Sequence, residues 1–321
     1  MFSPQQLPYI CAGTLLMTLQ PVLVTLSQNA EGRLDYNLVS STLCSEVLKI
    51  VISGAFLATS KERGSVHFDC KEALRFATPA VIYFVNNNLI FVILEHVNAT
   101  TFQLLSQLKI VFTGLLFRAI LSRKLTVWQY LAIWQLTFGA ATSHIPLCPQ
   151  FSRGDAAAKE SSTLGLMLSV LSCALSACGG IYSEKLLKDK VKDSIHWQNI
   201  QLYAWGVLFN IAGAIAHDPG ALRSGFFHGY NFWGVMVVIN NSLNGLAISA
   251  ILKYADNMAR VYAHAAAMML TMVISVLIFG QKPTPQMVIA VGIVGASALQ
   301  YNMPQNQEAK VAAAHSEDLR E

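Results

Sequence analysis

Phe102, Ser106, Lys109 and Thr113 recur at helical spacing and put a ring, two hydroxyls and a cation on one face. They lie in an apolar run over 97–117, which is long enough to cross a bilayer. A lysine inside such a run costs roughly 3 kcal/mol on insertion scales, so it faces a partner or a water-filled cavity. The set suits a ligand that carries a planar ring and a phosphate. The competing reading is that Glu46 on a neighbouring helix neutralises Lys109.

Other apolar runs carry polar groups that need a purpose. Glu46 and Lys49 stand at i and i+3 and can pair on one face, as a packing device, a ligand contact or a pair that opens. Asn86, Asn87 and Asn88 follow one another, so they cannot all face one way. Amides both donate and accept, which suits a pyrimidine or sugar hydroxyls. In SIHWQNIQLYAWGVLFN (194–210), Asn199, Tyr203, Gly206 and Asn210 share a helical face that reads as a ligand wall. Asn240, Asn241, Ser242, Asn244 and Gly245 make another apolar run unusually polar. Small residues every fourth position from Gly165 to Ala177 let helices approach closely. Lys253 and Arg260 bracket a short turn, which a general basic bias of cytosolic loops also explains.

The elements that must position these groups are membrane helices. Charged residues are 12% of the 321-residue chain, about half the usual share for a soluble domain, and hydrophobic residues are 54%. Eight runs lack Asp, Glu, Lys and Arg altogether: 1–30, 76–94, 125–152, 161–183, 194–217, 224–252, 261–281 and 283–307. Adding 36–60 and 97–117 predicts ten transmembrane helices in an all-α integral membrane protein. The first run has neither a basic flank nor a cleavage site and is expected to stay as a span. Six cysteines follow no framework spacing and read as packing residues.

Charge placement predicts orientation. With both termini on one side, that side collects Lys61, Arg63, Lys71, Arg75, Arg118, Arg123, Lys124, Lys185, Lys188, Lys190, Lys192, Lys253, Arg260, Lys310 and Arg320. The other side keeps only Arg33, Arg153, Lys159, Arg223 and Lys282. Both termini are therefore expected in the cytosol. Residues 1–303 read as one transmembrane domain, and 304–321 as a polar, disordered tail. The sequons at Asn98 and Asn240 fall in a tight turn and inside a span, so neither reads as a glycosylation site.

A faint repeat joins the halves. Shifting 94–133 by 158 residues lays LEHVNA on LKYADN and R-K-L-T (123–126) on Q-K-P-T (281–284). Five is odd, so two five-helix repeats, about 1–147 and 161–303, must be inverted, a common plan for secondary transporters. No Walker motif, metal-ligand cluster or paired acidic motif is present, which argues against ATP-driven, metal-dependent or transferase chemistry.

The segments NNNLIFVILEHVNATTFQLLSQLKI (86–110), GGIYSEKLLK (179–188), WQNIQLY (197–203) and LKYADN (252–257) resemble nucleotide-sugar transporters of the drug/metabolite transporter superfamily. The branch is that of CMP-sialic acid, UDP-galactose and UDP-N-acetylglucosamine transporters, and WQNIQLY looks most like plant CMP-sialic acid transporter-like members. The resemblance implies a Golgi membrane protein, not an enzyme, that exchanges a nucleotide sugar for its nucleoside monophosphate. The partners implied are those nucleotides, CMP favoured, and the bilayer, with no nucleic acid and no cofactor. By position, Lys109 would hold phosphate, and Asn87 and Asn88 would touch nucleotide or sugar. Asn199 and Tyr203 would line the nucleotide pocket, with Lys253 and Lys49 as further cations. Phe102 replaces the family's usual tyrosine, and Asn244-Gly245 replaces a pair of small residues. Both changes bear on the choice of sugar.

Overall fold

The computed structural model describes residues 5–29, 34–60, 69–97, 102, 105–121, 125–142, 162–189, 193–217, 226–279 and 285–302. The 304–321 tail, the Asn98 sequon, the Q-K-P-T turn and most of the longer loops lie outside the described residues. Ten helices are described: α1 (Leu7–Ser27), α2 (Leu38–Thr59), α3 (Cys70–His96), α4 (Leu108–Leu121), α5 (Val127–Thr142), α6 (Thr163–Asp189), α7 (Ile195–His217), α8 (Phe232–Tyr254), α9 (Asn257–Phe279) and α10 (Pro285–Asn302). Four of them, α1, α2, α6 and α8, are long and apolar enough to cross a membrane. Helices α4 and α5 are shorter, with 14 and 16 residues, and α3 carries Lys71, Glu72, Arg75 and Glu95.

Short polar side chains start the helices where the sequence places them. Asn37 Oδ1 accepts from the Val39 amide at 2.8 Å, and Asp69 Oδ1 from Lys71 at 3.0 Å. Ser162 Oγ caps Gly165 at 3.1 Å, Asn231 Oδ1 caps Gly234 at 2.7 Å, and Asp256 Oδ1 caps Ala259 at 2.7 Å. Each satisfies an amide that the first turn leaves unbonded, worth about 1 kcal/mol. One expectation changes at α4. A turn at Gln107, where the Ile110 amide donates to Gln107 O at 3.0 Å, separates Ser106 from Lys109. The helical face drawn through Phe102, Ser106 and Lys109 is therefore not continuous, because an i to i+3 bond tightens the chain there.

The chain forms two compact units. The first holds 90–177 and 282–321 with the first five residues. Within it α5 packs along α10, where Gly139 lies against Ile293 and Val294 and Ser297 Oγ donates to Ala132 O at 2.7 Å. The second holds 6–89 and 178–281. There α1 packs on α8 and α9, and α2 packs on α7 and α8. Gly13 lets α1 approach Ile251 of α8, while Asn240 Nδ2 donates to Leu16 O at 3.1 Å and Thr271 Oγ1 to Thr18 O at 3.2 Å. Polar side chains thus bind helix to helix where lipid offers no alternative partner.

The start of α8 is anchored on the α1–α2 connection. Asn231 Nδ2 donates to Ser27 O at 2.9 Å, and the Tyr230 and Ser40 hydroxyls bond at 2.9 Å. Gly229 makes this approach with φ +78°, and a Cβ there would stand 2.2 Å from Asp35 O. Gly229→Ala is expected to cost about 2 kcal/mol or more, from backbone strain and that clash together. A thermal melt of the detergent-purified protein checks this, and an unchanged midpoint would refute it.

Candidate functional site

The second unit assembles a buried cation with an aromatic wall. Glu46 and Lys49 lie one turn apart on α2, and Lys49 Nζ donates to Glu46 Oε1 at 2.5 Å. The ammonium also sits 4.3 Å from the centroid of the Tyr203 ring on α7. Tyr203 is held in turn by a 2.9 Å hydrogen bond between its hydroxyl and Ser249 Oγ of α8. Lys49 is 8% exposed and Tyr203 is 7%.

Two glycines make room for the pair. A Cβ on Gly206 would stand 2.9 Å from Glu46 Oε2, and one on Gly245 would stand 2.8 Å from Lys49 Cδ. The Glu46 carboxylate therefore lies against α7, and the lysine stem against α8.

The contacts continue down the same two helices. Glu46 meets Gly206, Lys49 meets Tyr203, and Phe56 stacks on His196 at 5.2 Å, so α2 and α7 run antiparallel. Ser53 and Asn199 fall in the layer between. Both are buried, and neither Ser53 Oγ nor Asn199 Oδ1 finds a partner among the described residues. Buried polar atoms are normally bonded, so this layer is poised to accept a polar group.

The remaining sequence candidates are placed as follows. Asn244, next to Gly245, donates to Gln20 Oε1 of α1 at 2.9 Å, and its buried Oδ1 finds no partner among the described residues. Asn86 is buried, Asn87 is exposed, and Asn88 is half-buried with its amide bonded back to Phe84 O at 2.8 Å. Asn210 likewise bonds back to Gly206 O at 2.8 Å. Lys253 donates to Asp193 O at 2.5 Å and to Gln198 Oε1 at 2.7 Å, tying the end of α8 to the start of α7. Phe102, Ser106 and Lys109 belong to the first unit, all half-buried. Lys109 interacts electrostatically with the thiol of Cys173 on α6, which also donates to Leu105 O at 3.3 Å.

One group has a role that spacing did not announce. The carboxylate of Glu184 on α6 is fully buried. Its Oε1 accepts from Lys188 Nζ at 2.7 Å, and its Oε2 from the Asn257 amide at 2.8 Å. Lys188 Nζ also donates to Ala255 O. The α8–α9 turn is thus gripped at its carbonyl and its amide by one ion pair. The i, i+4 placement of Glu184 and Lys188 at the end of an apolar run was the available signal.

A buried ammonium beside a phenol ring, an unbonded amide oxygen and a hydroxyl can hold an anionic group next to a planar one. A family model described as nucleotide-sugar transporter matches residues 5–302. The CMP-sialic acid transporter 1 of Arabidopsis thaliana is 39% identical over 308 residues, covering 91% of this chain and 88% of that protein. That of Oryza sativa subsp. japonica is 38% identical, covering 91% and 92%. The UDP-N-acetylglucosamine transporter of Homo sapiens is 38% identical over 205 residues, covering 64% and 62%. One crystal structure superposes with a TM-score of 0.68 at 13% identity, covering 94% of this chain and 98% of its own, which shows the fold alone.

Proposed function

Because the chain belongs to the nucleotide-sugar transporter family, a family of multi-pass membrane proteins and not enzymes, we propose that it exchanges a cytosolic CMP-sugar for luminal CMP. The sugar is of the sialic acid type, and the mechanism is alternating access. The observation that carries the nucleotide part is the Lys49 ammonium held over Tyr203 with Asn199 one turn away on α7. A cation compensates phosphate in a low-dielectric layer, the ring offers a stacking surface, and the amide oxygen takes a donor from the base. Identity of 39% to a CMP-sialic acid transporter favours cytosine.

The proposed site comprises Lys49, Asn199, Tyr203 and Asn244 of the second unit, with Asn87, Asn88 and Lys253. In the first unit, Phe102, Ser106 and Lys109 are proposed substrate-binding residues, Lys109 taking phosphate. The proposed architecture is two inverted five-helix repeats with both termini cytosolic in a Golgi membrane. Lys and Arg placement supports the orientation. A second reading, a carrier of UDP-sugars, draws support from the 38% identity to a UDP-N-acetylglucosamine transporter.

Exchange in proteoliposomes decides between them. Vesicles preloaded with CMP are expected to take up labelled CMP rapidly, while UMP or GMP inside supports little uptake. Lys109→Ala abolishes the exchange. Uptake driven best by UMP would move the protein to the UDP-sugar group. No uptake with any nucleotide by folded protein would refute the proposal.

A further inference from the structure

Glu46 of α2 and Glu184 of α6 both lie within helices of the second unit, and they are held in opposite ways. Both oxygens of Glu184 are bonded, one to an ammonium and one to a backbone amide. Among the described residues Glu46 is held by one bond, to Lys49. Its Oε2 rests against the open face of Gly206 and meets no donor among the described residues. Among the described residues Glu46 is the one hydrogen-bond acceptor for the three donors of Lys49, which otherwise rests on the Tyr203 ring. A fully bonded carboxylate is part of the frame. A carboxylate with one bond can be displaced.

We propose that Glu46 is an internal counter-anion that occupies Lys49 when no nucleotide is bound and gives it up to the incoming phosphate. This rests on the reading of Lys49 as a phosphate-binding cation. An unpaired ammonium is costly in a dry layer, so the empty carrier keeps its charge covered by its own side chain. Phosphate and Glu46 then compete for one cation. Binding is weakened by the bond that must break, and release is assisted by the bond that re-forms.

The test is CMP binding to purified protein, read as concentration-dependent thermal stabilisation. Glu46→Gln removes the competing charge and keeps the shape. It is expected to tighten CMP binding about tenfold, a coupling of ordinary size. Glu46→Asp keeps a charge with a shorter reach and is expected to fall between Gln and wild type. In a Lys49→Ala background, Glu46→Gln is expected to change nothing, because the effect runs through Lys49. A residue that merely packs would show no such dependence.

Unchanged or weaker CMP binding by Glu46→Gln, with wild type binding normally, overturns the counter-anion role and leaves nucleotide exchange standing. Equal effects of Glu46→Gln with and without Lys49 overturn it too. If wild type shows no stabilisation by CMP, UMP or GMP, the nucleotide reading fails and this inference falls with it.

Discussion

Lys49→Ala lowers CMP exchange by about a hundredfold, or about 2.7 kcal/mol of lost interaction with the anion. The size follows from the burial of Lys49 and from what surrounds it. Its ammonium sits 4.3 Å from the centroid of the Tyr203 ring, in a buried layer. Truncation also leaves the half-buried Glu46 without its partner, so the variant starts from a weakened fold. Lys49→Arg separates the two costs. A guanidinium keeps the charge and the pairing with Glu46, but it is broader than the gap that Gly245 leaves for the lysine stem. It should restore the thermal midpoint nearly fully and exchange only in part. If Lys49→Ala exchanges at the wild-type rate, the central cation is not part of the transport path.

The largest stability effect falls elsewhere. Glu184→Ala should cost about 4 kcal/mol, seen as a thermal midpoint lower by about 10 °C. The substitution strips Lys188 of its counter-charge and leaves the buried Asn257 amide without an acceptor. The carboxylate also lies at the first turn of α9, where negative charge meets the positive end of the helix dipole. Glu184→Gln keeps an acceptor for the amide and should lose about half as much. A midpoint within a degree of wild type for Glu184→Ala would show that the turn stands without its clamp.

The ten helices were legible because each apolar run is long enough to span and is bounded by charge. Their starts were not marked by the apolar runs: α3 and α8 begin at Cys70 and Phe232, away from the run ends at 76 and 224, and Asn37, Asp69, Asn231 and Asp256 cap their helices by local hydrogen bonds. The Glu46–Lys49 pair could be read from its i, i+3 spacing, since both groups ride one helix. Gly245 as the space for Lys49 could not, because the register between α2 and α8 is set by packing and leaves no periodic mark. The turn at Gln107 was hidden too: apolar periodicity continues through it while the hydrogen bonding changes. Lys253 read simply as positive charge, yet its donors are bonded to Asp193 O and Gln198 Oε1. For Glu184 the i, i+4 spacing to Lys188 was the one signal available, because its second partner is a backbone amide, which carries no signature in the sequence.

The clamp on the α8–α9 turn has a consequence for how this stretch can drift between relatives. Glu184 and Lys188 grip the turn by the Ala255 carbonyl and the Asn257 amide, groups that every residue but one supplies. The clamp itself therefore does not depend on the side chains at 255 and 257, which are limited by burial and by the close approach of Gly180 to Asn257. The exception is proline at 257. The first position of a helix normally welcomes it, because the missing amide hydrogen has no use there. Here that hydrogen has a use, so inheritance should avoid proline at the one site of α9 where helix geometry alone would invite it.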